Sequence, residues 1–261
     1  MIKNKLLSII TINKNNACYL EKTIKSIINQ NLKIFDLIII DGKSSDNSVN
    51  IIRKYSNKIS YWSSSHDINI ADAFNKGIAK SKSDWILFVN SDDYLINNQV
   101  MNNIHNDLLV FKNYDMLIYK IKLKSRDLKK TKGVFGGFST NINKIKFYNT
   151  LPHQSTVINK KFFLKNGNYS LDYPIAQDYE IILRNKKIKI KRIDKIISVM
   201  RDGGVTNNNQ LKALKYFMKA QIKNKTNKIY LCIMIYIYGT LKVVTKTILI
   251  KLKLFKILIY L

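Results

Sequence analysis

Two adjacent carboxylates, Asp92 and Asp93, follow an unbroken apolar run at residues 85–89 (WILFV), with only Asn90 and Ser91 between. Five apolar residues rich in β-formers read as a strand buried on both faces of a parallel sheet. At its carboxyl end two neighbouring carboxylates repel each other and lose water, and a divalent cation or a cationic ligand is the usual compensation. In open α/β sheets that edge is also where ligands bind. Ser-Asp-Asp serves equally well as a turn and helix N-cap, so the pair alone leaves both readings open. Polar clusters close two earlier apolar runs: Thr11 to Asn13 ends the run from Leu6, and Asp41 to Asp46 ends residues 35–40 (FDLIII). A carboxylate that accepts a ring N–H recognises a nucleotide base, which makes Asp41 the candidate. A diphosphate needs Mg²⁺ or Mn²⁺, typically held by one or two carboxylates plus phosphate oxygens, and Asp93 supplies that ligand.

The elements that must position these groups alternate. Residues 6–12 (LLSIITI) read as a strand, and Leu20, Ile24, Ile27 and Ile28 then recur at helical spacing, with Glu21 and Lys25 an i,i+4 pair. Residues 35–40 form a second strand. Ser45 or Asp46 is placed to cap a helix carrying Val49, Ile52 and Tyr55. Residues 59–62 make a short third strand, and residues 70–79, with Ala71, Phe74 and Ile78 on one face, a helix leading into the run that ends at Asp92-Asp93. This is an α/β chain with a mostly parallel sheet built from βαβ units. Further on, strands are expected at 116–123, 155–158, 188–190 and 196–200, a turn or hairpin at 133–138, and a helix from Gln177. A tight loop is expected at 201–205 and a basic amphipathic helix at 208–223. Neither G-x-G-x-x-G nor G-x-x-x-x-G-K-[ST] occurs, so a dinucleotide dehydrogenase and a P-loop enzyme are disfavoured.

The net charge of +28 calls for a partner: nucleic acid, an anionic membrane or a phosphorylated substrate. From Glu180 onward nineteen Lys or Arg face three acids, so the bias is steepest in the last third. A nucleic-acid binder would interleave aromatic and basic residues on a recognisable module, and none is visible. Cys18 and Cys232 are too few and too distant to staple the chain, which reads as a reducing compartment, and no signal peptide is visible. In the tail, an apolar run from Ile229 stops at Gly239, after which lysines recur. At helical spacing Lys242, Lys246, Lys253 and Lys256 share one side, leaving Val243, Val244, Ile248, Ile250, Leu254, Phe255 and Ile257 over the rest, with Lys251 out of pattern. This fits a helix lying in an anionic membrane surface better than one spanning it; helices packed on the domain are the alternative.

The ordered series ITINKN, IIIDGKSSD, DINIADAFNKGIAKSKSDWILFVNSDDYL, LPHQSTV and IAQDYEIILR resembles the inverting family 2 glycosyltransferases of the GT-A fold, in particular those of bacterial surface-polysaccharide assembly. The resemblance covers roughly residues 5–205. It implies a nucleotide-sugar donor, usually UDP-linked, and a divalent metal. By position, Thr11 and Asn13 would line the nucleotide pocket, Asp41 would meet the base, Asp92 the ribose or metal and Asp93 the metal. Asp72, Asn75 and Lys76 would lie near the ribose and phosphates, and Asp178 would be the catalytic base. For Asp178 alone, a helix N-cap role stands beside the catalytic one. His153 and Gln154 would bind acceptor or diphosphate, or be structural; Arg201, with Gly203 and Gly204, would close over the diphosphate, or form a surface hairpin. Lys43, after Asp-Gly, and Gln177, before Asp178, depart from the family's common residues. There is no Q-x-x-R-W, which speaks against a processive synthase.

The expected organisation is a nucleotide-sugar-binding half at 1–100, an acceptor-binding half at 101–225 and a membrane-associating helical tail at 226–261. The expected protein is a cytoplasmic hexosyltransferase, peripheral at the inner face of the membrane, that adds one sugar per encounter to a lipid-linked or glycan acceptor. The competing reading is an inactive nucleotide-sugar-binding or membrane-adaptor protein, which would keep Asp92 and Asp93 but have no use for Asp178.

Overall fold

The structure is a computed structural model that describes residues 5–136, 145, 147, 151–185 and 187–251. The first half alternates as its apolar spacing predicts: β1 (Leu7–Asn13), α1 (Ala17–Ile28), β2 (Phe35–Asp41), α2 (Ser48–Lys54), β3 (Tyr61–Ser64), α3 (Ile70–Lys80), β4 (Trp85–Phe88) and a two-residue β5 (Tyr94–Leu95). The second half runs α4 (Val100–Val110), β6 (Met116–Lys124), β7 (Thr131–Phe135), β8 (Thr156–Asn159), α5 (Lys160–Asn166), α6 (Gln177–Leu183), β9 (Ile190–Arg201), α7 (Val205–Asn208), α8 (Gln210–Lys223) and α9 (Ile229–Lys251).

One sheet joins both halves in the order β3-β2-β1-β4-β8-β6-β9-β5, with β7 pairing the far part of β6. Strands β3, β2, β1 and β4 are parallel, as crossover helices require. Strand β8 is antiparallel to β4 and β6, while β6 and β9 are parallel. It follows that β1, β2, β4, β6 and β9 end at the edge where β8 begins. The period-2 pleat explains the two cores: Leu7, Ile9, Leu37, Ile39, Trp85 and Leu87 enter one, and Ile10, Ile12, Ile38, Ile40, Ile86 and Phe88 the other.

Several expectations change. The two short strands at 188–190 and 196–200 are one strand, β9. Two of the charges between them pair across the structure, Lys195 with Asp107 at 2.8 Å and the exposed Asp194 with Lys120. Residues 133–135 belong to β7, and 137 and 138 lie outside the described residues. The third strand starts at Tyr61, the basic helix is α8, and a short uncharged α7 precedes it where a loop was expected. Helix α2 is preceded by Asn47, not capped by Ser45. Asp46 instead accepts from Ala17 N at 2.9 Å and Ser48 N at 3.0 Å, joining the starts of α1 and α2.

The tail differs most. Helix α9 continues through Gly239, where an added Cβ would lie 2.9 Å from Leu214 Cδ2, so this glycine permits close packing on α8 rather than ending a helix. Leu214 stands nine residues before the end of α8 and Gly239 ten after the start of α9, so the two form an antiparallel hairpin. Residues 229–250 are long and apolar enough to cross a membrane by length and composition. Lys253 and Lys256, with Leu254, Phe255 and Ile257, lie outside the described residues.

Helix α3 is pressed onto β1 at Gly77, where a Cβ would overlap Ile10 Cγ2. We expect Gly77→Ala to lower stability by about 1–3 kcal/mol through overpacking, measured as a reduced urea midpoint with unchanged denaturant slope.

Candidate functional site

A cavity of about 840 Å³ opens at the rim where the strands end. Asn13, Asp67, Asp92 and Asp93 reach it from the first half, and His153, Gln154, Asp178 and Arg201 from the second.

The acid pair is placed by a long-range strand contact. After β4 the chain turns, Asp93 N donating to Asn90 O at 3.0 Å, and Tyr94 and Leu95 pair with Val199 and Ser198 of β9. This pins Asp93 inside, 1% exposed, with Oδ1 accepting from Arg201 N at 3.2 Å and its carbonyl accepting from Thr23 Oγ1 at 2.6 Å. Burial first, and then the charge of Asp92, hold the Asp93 carboxyl well above the usual carboxylate range. Its Oδ2 is buried without a hydrogen-bond partner. Asp92 Oδ2 meets Arg201 Nη2 at 3.1 Å, and the guanidinium lies over the Tyr19 ring, 4.1 Å from its centroid. A strand follows Asp93 and the next helix starts at Val100, so the pair is not a helix cap.

These donors fit a hard divalent ion. Among the described residues no group of three or more His, Cys, Asp or Glu side chains gathers. An ion would therefore take one or two carboxylate oxygens here, starting with the unpartnered Asp93 Oδ2, and its other ligands from phosphate and water, the usual Mg²⁺ arrangement.

Asp41 stands behind the cavity wall. It is fully buried and saturated by four donors: Asn13 Nδ2 at 2.7 Å, Ser44 N at 2.9 Å, Ser44 Oγ at 2.5 Å and Ser64 Oγ at 2.6 Å. Its effect is to fix Asn13, whose Oδ1 is buried and unpartnered; Thr11 is likewise buried, its hydroxyl without a partner. The acid on the wall is Asp67, which lies in the stretch from His66 to Gly77 that the sequence places at this rim without assigning Asp67 a role of its own. A Cβ on Gly42 would lie 2.9 Å from Asp67 Oδ2, so the Asp-Gly turn makes room for it. Lys76 pairs with Asp67 at 2.6 Å and Asp72 at 3.1 Å and donates to His66 O at 2.8 Å; Asp72 also accepts from Ile68 N at 3.0 Å. Asn75 bonds the backbone of Tyr169 both ways, at 2.8 and 3.0 Å, tying the two halves together. Thr11, Asp41, Asp72, Asn75 and Lys76 thus brace the wall rather than line it. The available signal for Asp67 was a lone acid in a polar loop nine residues before Lys76.

In the second half Ala176 adopts left-handed geometry, φ 72°, and delivers Asp178 into the first turn of α6 facing the cavity. Glu180 points elsewhere: it is 0% exposed and accepts from Arg184 Nε through both oxygens at 3.0 Å. Arg184 Nη1 also donates to the carbonyls of Asn166 and Asn168, both at 2.9 Å, which anchors α6. The His153 ring stacks on Phe88, centroids 4.6 Å apart, and Nε2 meets Tyr169 Oη at 2.9 Å; burial keeps the imidazole below its ordinary pKa. Gly203, at φ 105°, turns the loop after Arg201 along the cavity. Four buried, unpartnered polar atoms sit on cavity-lining residues: Asn13 Oδ1, Asn90 Oδ1, Asp93 Oδ2 and Arg201 Nε. Such groups normally find partners, and a polar ligand in this cavity would supply them.

The sequence profile described as Glycosyl transferase family 2 matches residues 8–159. The poly(ribitol-phosphate) β-N-acetylglucosaminyltransferase TarP of Staphylococcus aureus (strain N315) is 30% identical over 136 residues, 50% of this chain and 41% of that protein. The crystal structure of S. aureus TarS 1-349 superposes with a TM-score of 0.62 at 17% identity, covering 82% of this chain and 65% of that one, and it is also known in complex with UDP-GlcNAc. A mannosyltransferase, PcManGT, from Pyrobaculum calidifontis, in complex with GDP-Man and Mn²⁺, gives 0.64 at 11% identity over 92% of this chain and 75% of that one. At these identities the structural likeness is one of fold, GT-A.

Glu180 has no route to water. We expect Arg184→Ala to leave a buried uncompensated charge and to destabilise the chain by about 3–5 kcal/mol, measured by urea denaturation.

Proposed function

This chain belongs to glycosyl transferase family 2, and from that premise we propose that it moves one sugar from a UDP-sugar to an acceptor hydroxyl with inversion at the anomeric carbon. The observation that carries this reading is that Asp92, Asp93 and Asp178 open on one cavity although up to 86 positions separate them. The UDP-GlcNAc complex of TarS supports the donor class, and the Mn²⁺ complex of the mannosyltransferase supports a metal.

Asn13 and Asp67 receive the nucleoside, with Asp41 fixing the first, Lys76 and Asp72 the second, and Asn75 holding the far wall. Asp93, with Asp92 beside it, would hold Mg²⁺ or Mn²⁺; when bound, the ion offsets the charge of the departing diphosphate. Arg201 turns its guanidinium to the same oxygens. Asp178 accepts the proton of the acceptor hydroxyl. As it does so, that oxygen bonds to the anomeric carbon, and the bond to diphosphate breaks with its electron pair leaving on the diphosphate. His153 and Gln154 border the acceptor side.

The acceptor is a lipid-linked sugar or growing glycan in surface-polysaccharide synthesis, met at the inner face of the membrane. TarP, named for transfer to poly(ribitol-phosphate), supports a glycan polymer as acceptor. Helix α9 supports the membrane. Ile229, Tyr230, Ile233, Met234, Ile237, Tyr238, Leu241, Val244 and Ile248 are all exposed. At about 100° per residue they cover roughly half the circumference, opposite Cys232 and Gly239, and that arc carries no charge before Lys251 at the end of the helix. Lys242 and Lys246 lie beyond its margin, and Lys212, Lys215 and Lys219 stand exposed on the partnered helix α8. A helix apolar on its free side and tied on the other to a lysine-bearing one lies in the membrane plane.

UDP with Mn²⁺ or Mg²⁺, but neither alone, should raise the melting temperature. In a screen of nucleotide sugars for metal-dependent hydrolysis and transfer, Asp178→Asn should lose about 10²–10⁴ in rate with UDP affinity retained. Unchanged rates in Asp178→Asn would remove it as the base, and an unsubstituted chain that turns over no donor would be a binding protein. Replacing Ile233, Ile237 and Val244 together by Gln should weaken sedimentation with anionic liposomes about tenfold or more without affecting donor hydrolysis; unchanged sedimentation would discard the tail assignment.

A further inference from the structure

Behind the wall that carries Asp178 is a second cavity, of about 10 Å³. Three polar side chains border it, those of His153, Tyr169 and Asp178, and the rest of its lining is apolar, including Leu151, Ile158 and Ile181. A space of this size is at the lower limit for one water, and two to four polar partners are what a buried water needs.

Two of the three partners are rigidly held. The His153 ring is stacked on Phe88 and meets Phe74 edge-on at 5.0 Å, and Nε2 is bonded to Tyr169 Oη at 2.9 Å. Tyr169 packs against Phe163 at 5.5 Å, and its backbone N and O are both bonded to the Asn75 side chain. Burial keeps the imidazole neutral and the phenol protonated, and the charge of Asp178 is felt at both. The pair offers hydrogen-bond donors and acceptors beside the Asp178 carboxylate.

Resting on the assignment of Asp178 as base, we propose that His153 and Tyr169 are positioning residues that orient its carboxylate through a single water in this cavity. An oriented base is worth rate rather than affinity, since a misplacement of about 1 Å can lower a rate roughly 10²-fold. The His153–Tyr169 pair thus acts on the chemical step and leaves donor binding alone.

The test uses the full chain and the UDP-sugar that it hydrolyses fastest. It compares Tyr169→Phe, His153→Gln, His153→Leu and Asp178→Asn in kcat, donor KM, UDP affinity with Mn²⁺ and melting temperature. Tyr169→Phe keeps the ring packing and removes one hydroxyl. It should lower kcat about tenfold with KM and UDP affinity within about twofold, and His153→Gln, which still hydrogen-bonds, should retain more kcat than His153→Leu. The proposal falls if Tyr169→Phe keeps full kcat, if kcat and UDP affinity decline together, or if Gln and Leu at position 153 behave alike. If these variants are silent while Asp178→Asn is inactive, the base assignment stands and only the positioning pair is lost; an active Asp178→Asn removes both.

Discussion

A carboxylate that has lost its water without gaining a full set of partners sits at the centre of this protein. Asp93 is held there from three directions: Thr23 of α1 grips its carbonyl, β5 is stitched to the end of β9, and the Arg201 amide takes one of its two oxygens. Those partners come from 70 positions before it and 108 after. A group so unfavourably placed persists only where surrounding structure over-determines it. Here that structure is the sheet itself, whose antiparallel β8 lets a second set of strands deliver His153, Gln154 and Arg201 to the rim that the first set reaches with its carboxyl ends.

Much of this was legible in the sequence. Near-continuous apolar runs such as IITI, LIII and WILF are what a sheet covered on both faces demands, and the polar residues at the end of each run had to share an edge once the strands were parallel. What sequence could not resolve was the direction of individual side chains within that edge. Asp41 and Asp67 both close a strand-to-helix connection, but Ser44 and Ser64 are near enough to saturate Asp41 and turn it inward. Local side-chain to backbone bonding of this kind is not visible in a pattern of apolar residues. Strand β9 was obscured for a related reason: its charges find Asp107 and Lys120, residues more than seventy positions away, so a stretch that reads as a turn is extended. In the tail, the apolar run stops at Gly239 but the helix does not, and what sequence could not show is that this glycine meets Leu214.

The two departures from common family residues have different structural settings. Lys43 stands at φ 56°, in the left-handed region where a glycine would carry no steric penalty. Gln177 is buried at the start of α6, next to the left-handed Ala176. Non-glycine residues in left-handed backbone thus stand on both sides of the cavity, Asn15 and Lys43 in the first half and Ala176 beside Asp178 in the second.

Helix α9 has a consequence for handling the molecule. Its free side is an apolar stripe that carries no charge before Lys251. In dilute buffer the same stripe on another copy can cover it, so self-association will rise with protein concentration and fall when detergent or phospholipid is supplied. Purification yield and apparent mass then depend on what amphiphile accompanies the protein, while the sheet and its rim stay the same.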